Sequence, residues 1–160
     1  MMWSISPGEG LGPLRLGMTQ DAVAALPMMG KPQHVYRGSG GQQMEYRGLR
    51  LPICEYETGV LTRIVTGRHV AGVRFEGIDL FDGDPEQVTR RLESALGPAA
   101  LCNEQLCFLK GGISLGGFYD ANDHDFFAPE IEYHDERCVT LYAPGACPGD
   151  CREGEPLSFL

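Results

Sequence analysis

Apolar positions along this chain recur in two rhythms. Most follow a period of two, in short β-branched and aromatic runs broken by Gly and Pro. The clearest run through residues 33–37, 42–57 and 59–67 and read as an antiparallel meander. A second series follows at 72–81, 105–111, 112–120, 129–135 and 137–145. In "PEIEYHD", Ile131 and Tyr133 fall on one side of the strand, and Glu130, Glu132 and His134 on the other.

The rhythm lengthens to a helical one twice. Leu14 and Leu16 form a short strand, Gly17 turns the chain, and Thr19 is placed to cap a short helix. Asp21 sits near its positive end, Val23 and Leu26 face inward, and Pro27 stops it. The second helix is the best local signal. Asp84 caps it, Pro85 takes the first helical position, and Gln87 completes a capping box. Val88, Leu92, Ala95 and Leu96 form the apolar stripe, and Gly97 closes the helix. The element order, strand–helix–strands followed by strand–helix–strands, predicts two units of about 70 residues, roughly 5–70 and 71–144. They would form one domain spanning 1–160 with an irregular tail from 145. The expected class is α+β, an antiparallel sheet with helices on one face.

Composition adds that the chain is an ordinary globular one, 42% hydrophobic and 22% charged. No apolar run approaches the ~18 residues of a membrane span, and the first residues carry no basic, apolar leader pattern, so a cytoplasmic location is expected. In that setting Cys54, Cys107 and Cys138 read as packed thiols on strands. Cys147 and Cys151, among Gly and Pro, would pair only in an oxidising medium, and the pairing of Cys102 with Cys107 stays open.

Charge changes the picture most. Residues 1–80 carry eight basic and seven acidic side chains, a net +1. Residues 81–160 carry five and fifteen, a net −10, matching the total of −9. So lopsided a field disfavours nucleic acid, whose phosphates need Lys and Arg, and favours a cationic partner. The acidic residues gather at Tyr119–Glu136, "YDANDHDFFAPEIEYHDE", where seven carboxylates lie among aromatic rings.

Three chemistries compete for that stretch. Asp120, Asp123, Asp125 and Glu130 miss the ligand spacing of an EF-hand loop. His124 with Asp123 or Asp125, together with His134, could hold a transition metal, which makes a metal-binding domain or metal-dependent enzyme the alternative reading. No nucleophile elbow, phosphate loop or zinc-protease motif occurs, and "GSGG" at 38–41 reads as a hairpin loop, so no catalytic residue is assigned and no cofactor or metal expected. Recognition fits best, because carboxylates steer a basic partner while rings supply buried contact area. The expected contact set is Asp120, Asp123, Asp125, Phe126, Phe127, Glu130, Glu132, Asp135 and Glu136. One of the adjacent Phe126 and Phe127 should be exposed, since both cannot point into one core from an extended strand.

Leu16, Gly17, Met18, Thr19, Val23 and Gly30 resemble a recurring element of small bacterial α+β proteins, seen in the β-lactamase-inhibitory-protein type and in toxin-immunity-like proteins. The resemblance covers about 20 residues. It implies a tandem helix-plus-sheet architecture and a non-enzymatic inhibitor. The expected partner is a cognate protein toxin with a basic, nucleic-acid-acting site, with no nucleic acid or membrane as partner.

Overall fold

The computed structural model describes residues 2–128, 137–146 and 156–160. Strands β1 (Trp3–Ser6), β2 (Gly10–Leu11) and β3 (Leu14–Arg15) lead into helix α1 (Gln20–Ala24). A meander follows: β4 (His34–Arg37), β5 (Gln42–Tyr46), β6 (Ile53–Glu57) and β7 (Val60–Gly67). Then come β8 (Val73–Phe75), β9 (Ile78–Asp79), helix α2 (Pro85–Leu96), and strands β10 (Ala99–Cys102), β11 (Gln105–Phe108) and β12 (Ile113–Gly116). The described chain ends with β13 (Tyr119–Asp120), β14 (Asp125–Phe126), β15 (Cys138–Tyr142) and β16 (Pro156–Leu157).

The expected α+β class is overturned. Among the described residues the fold is β-rich, 42% strand against 14% helix, with three sheets and two α-helices. The cause is how the chain turns. Thr58–Gly59, Glu76–Gly77 and Asn103–Glu104 each place both residues at positive φ. That is the tight hairpin geometry matching strand twist, so the chain turns straight back into paired strands at these points. The tail departs from expectation too, because Pro156–Leu157 is a strand paired with β10.

The largest sheet runs β16-β10-β11-β12-β15-β7-β6-β5-β4. Two four-stranded meanders, β4 to β7 and β10 to β15, meet where β7 pairs antiparallel with β15. Each follows a hairpin and a helix, β2–β3 and α1 in one case, β8–β9 and α2 in the other. The hairpins flank β1 in the five-stranded sheet β3-β2-β1-β8-β9. The meanders thus correspond strand for strand about an approximate two-fold axis, β4 matching β10 and β7 matching β15.

Both helices begin as their caps dictate. Thr19 Oγ1 accepts the Ala22 N–H at 3.2 Å, and an Asp84 carboxylate oxygen accepts the Gln87 N–H at 3.4 Å. In α2 the buried stripe is Val88, Thr89, Leu92 and Glu93, and Ala95 is exposed. Glu93 is retained inside because its carboxylate accepts the Phe159 N–H at 3.0 and 3.2 Å, holding the chain end beyond β16. One continuous core joins Trp3, Leu11 and Leu14 of the small sheet to Val23, Leu92, Ile64, Leu106 and Val139. Burying such a side chain stabilises by about 1.5–3 kcal/mol.

Candidate functional site

The acidic segment leaves the sheet between β12 and β15. The matching connection in the first meander, between β6 and β7, is the two-residue turn Thr58–Gly59. Here the chain instead builds a separate hairpin, β13 paired with β14, with Tyr119 opposite Phe126 and Asp120 opposite Asp125. Local polar chemistry shapes its tip. Asp120 Oδ1 accepts the N–H groups of Asn122 at 2.9 Å and Asp123 at 3.4 Å, and His124 sits at φ 53°. Asp125 Oδ1 accepts the Phe126 N–H at 2.8 Å. Asp123 and Asp125 are exposed and Asp120 is half-buried.

The rings anchor this hairpin instead of facing solvent. Phe126 packs edge-on against Tyr119, centroids 5.3 Å apart, and lies 4.9 Å from Phe159; Tyr119 and Phe159 are 5.4 Å apart. Such pairs add about 0.5–1.5 kcal/mol each beyond area burial. Phe127 is half-buried and its N–H reaches the Phe118 carbonyl at 3.0 Å. The expectation that one of Phe126 and Phe127 is exposed therefore fails, because the chain end supplies Phe159 as a third ring. Glu104, from the β10–β11 turn, joins Asp120, Asn122 and Phe127 in walling a cleft of about 300 Å³. Nothing in the sequence flagged Glu104, 16 positions from Asp120, apart from its place in a tight turn.

Glu130, Glu132, Asp135 and Glu136 lie outside the described residues, as do His134, Cys147 and Cys151. Among the described residues no group of three His, Cys, Asp or Glu side chains is arranged to hold a metal ion. No helix among them is long and apolar enough to cross a membrane. Cys102 is disulfide-bonded, whereas Cys54 and Cys138 are free thiols.

Two further features lie in the first meander. On one face of β5 to β7, two clefts follow the strand direction. The first, about 310 Å³, is walled by Tyr36, Met44, Glu55 and Arg63; the second, about 240 Å³, by Tyr46, Ile53, Val65 and Cys138. Arg63 binds Glu55 at 3.7 Å and stacks over Tyr142 at 4.9 Å. On the opposite face Glu45 and Arg47 form a buried ion pair at 3.0 Å, their side chains 6% and 1% exposed. Arg47 Nε donates to the Gly30 carbonyl at 3.0 Å, and Gln20 Nε2 donates to Gln43 Oε1 at 2.6 Å. The chain around α1 is thereby tied to β5. Among the described residues Arg47 Nη1 has no hydrogen-bond partner, and the Tyr56 hydroxyl stands near Glu45 without a hydrogen bond of good geometry. Burial pushes the Cys54 thiol up to about 11, Arg47 opposing and Glu45 adding. Burial first, and the neighbouring Cys54 second, push the Tyr56 phenol up as well.

The fold thus defines a class, a small β-rich domain of two paired meanders with an anchored acidic hairpin inserted in the second. No protein-family model, curated protein or solved structure matches the chain.

Proposed function

We propose that the chain is a binding protein that blocks a basic partner, an inhibitor of the immunity-protein kind acting on a toxin with a cationic, nucleic-acid-acting site. The observation that carries this reading is the anchored hairpin. Its aromatic rings turn inward, so Asp123 and Asp125 are presented on a pre-ordered scaffold, with Asp120 and Glu104 beside them. Carboxylates fixed in advance lose little entropy on binding and steer a basic cleft at long range. Burial falls to the fixed rings and not to exposed aromatics, so specificity here is electrostatic in origin. The disulfide at Cys102 supports an oxidising compartment over the cytoplasm.

The test uses the immobilised chain and its Asp123→Asn/Asp125→Asn variant, with Asp120 kept because it holds the turn. Each is exposed to the product of the neighbouring gene and to source-cell extract, at low and high salt. A basic protein retained at low salt, released at high salt and lost by the variant is the expected result. Retention of nothing at low salt, or equal retention by both forms, refutes the reading.

A further inference from the structure

The approximate two-fold relation exposes an unequal pair of sheet edges. Strand β10 is an edge of its meander, and the chain covers it: β16 pairs with it, Ala99 opposite Leu157 and Ala100 opposite Pro156. The same chain end is held further by Glu93 of α2 and by the Phe159 ring. Strand β4 occupies the matching place in the first meander, and among the described residues no strand lies on its outer side. The helix before it is also shorter, five residues in α1 against twelve in α2. All four β4 residues are consequently exposed, Val35 at 43% and Tyr36 at 53%.

The geometry of this edge is open to a further strand. The Gly38 N–H donates to the Gln42 carbonyl at 2.9 Å, and alternation along the pairing with β5 then turns the N–H and C=O groups of Val35 and Arg37 outward. The strand contains neither proline nor lysine, two residues that commonly blunt an exposed edge. Three exposed cations, Lys31, Arg37 and Arg50, stand around it, and among the described residues none of them has an ion pair. Of the acids nearby, Glu45 is buried and held by Arg47, Glu55 is paired with Arg63, and Glu57 lines a cleft with Arg37.

We propose that β4 is a docking edge for an extended, acidic segment of a partner polypeptide, which adds to the sheet beside β4 as β16 adds beside β10. Main-chain hydrogen bonds to Val35 and Arg37 would carry the affinity. Carboxylates on the segment would meet Arg37 at one end of the strand and Lys31 at the other. Apolar side chains alternating with them would fall on the other face, where they would cover Tyr36. This surface is separate from the acidic hairpin and does not depend on it.

The test probe is an end-blocked peptide of alternating Glu and Val, about eight residues long, enough to span β4 at ~3.3 Å per residue with overhang. Its Lys–Val counterpart serves as control. Amide hydrogen exchange is followed in the full chain. Saturating Glu–Val peptide should slow exchange at Val35 and Arg37 by about tenfold, with the effect weakening as salt rises. Val35→Pro removes an outward N–H without touching the pairing with β5, so it should abolish binding while the thermal midpoint holds. Arg37→Glu should favour the Lys–Val peptide instead. Asp123→Asn/Asp125→Asn should bind the Glu–Val peptide as the parent does, which separates this edge from the hairpin reading. The proposal is overturned if protection is missing at millimolar peptide or if both peptides protect equally. It is also overturned if Val35 and Arg37 become protected by raising the protein concentration alone, which would make the occupant a second copy.

Discussion

Removing one member of the Glu45–Arg47 pair should cost far more than removing both. The two side chains are almost fully shielded and 3.0 Å apart, and Arg47 Nη1 already lacks a partner. Glu45→Leu leaves a guanidinium inside with only the Gly30 carbonyl to satisfy it. Arg47→Met leaves a carboxylate with a long hydrogen bond from Gln20 Nε2 at 3.5 Å and the Tyr56 hydroxyl nearby. Stranding a buried charge costs about 3–5 kcal/mol in either case. The double replacement removes both charges and fills similar volume with apolar atoms, so it should fall within about 2 kcal/mol of the parent. A double-mutant cycle therefore yields a coupling of several kcal/mol, opposite to the additive result for independent sites. Urea unfolding provides the assay. With a slope near ~2 kcal/mol/M, each single variant should lower the midpoint by about 1.5–2.5 M, the double by no more than ~1 M, all with unchanged slope. Two single variants that each cost under ~1 kcal/mol, or a double variant that costs the sum of the singles, would refute this account of the pair.

Two other perturbations have signs set by the structure. The folded Cys54 thiol keeps its proton to about pH 11, against 9.0 for the ordinary group, so its contribution is fully present below pH 9 and is lost as pH rises towards 11. Stability of the parent should fall over that window by up to roughly 3 kcal/mol relative to Cys54→Val, and matching curves for both would contradict the assignment. Glu104 sits at φ 64° in the second position of a tight hairpin turn, where glycine carries no Cβ penalty. Glu104→Gly should raise stability by about 1 kcal/mol, or ~2–4 °C in thermal midpoint by calorimetry, and an unchanged or lower midpoint would count against strain there.

How far the chain could be read in advance depended on the range of the interactions. Both helices were legible because their stop and start signals are local: Thr19, Asp84, Pro85 and Gly97 act within one turn of where they stand. The class was not, because strands outside the expected runs owe their pairing to partners far along the chain: β1 pairs with β8, and β16 with β10. The anchoring of Phe126 was hidden by distance, since the ring that receives it, Phe159, is 33 residues away and held by Glu93 of α2.

Strand β5 shows the sharpest limit of reading by pattern. In "QQMEYR" the apolar Met44 and Tyr46 alternate with Gln43, Glu45 and Arg47, and period-two logic puts the first pair inside and the charges in water. The structure inverts it: Glu45 lies opposite buried Cys54, whereas Met44 lies opposite the half-exposed Glu55 and lines an open cleft. Hydrophobicity alone would favour the strand shifted by one residue, since that register buries more apolar area. What opposes the shift is a set of directional contacts to the chain around α1 that exists in one register only, Arg47 to the Gly30 carbonyl, and Gln20 to Gln43 and Glu45. A slip of β5 would carry Gln43, Glu45 and Arg47 to the other face, away from Gln20 and Gly30. The polar side chains of β5 therefore specify which face meets α1, and the price is a core that tolerates the loss of neither charge alone. With that face committed inward, Met44 and Tyr46 are left on the opposite side to line the open clefts beside β4.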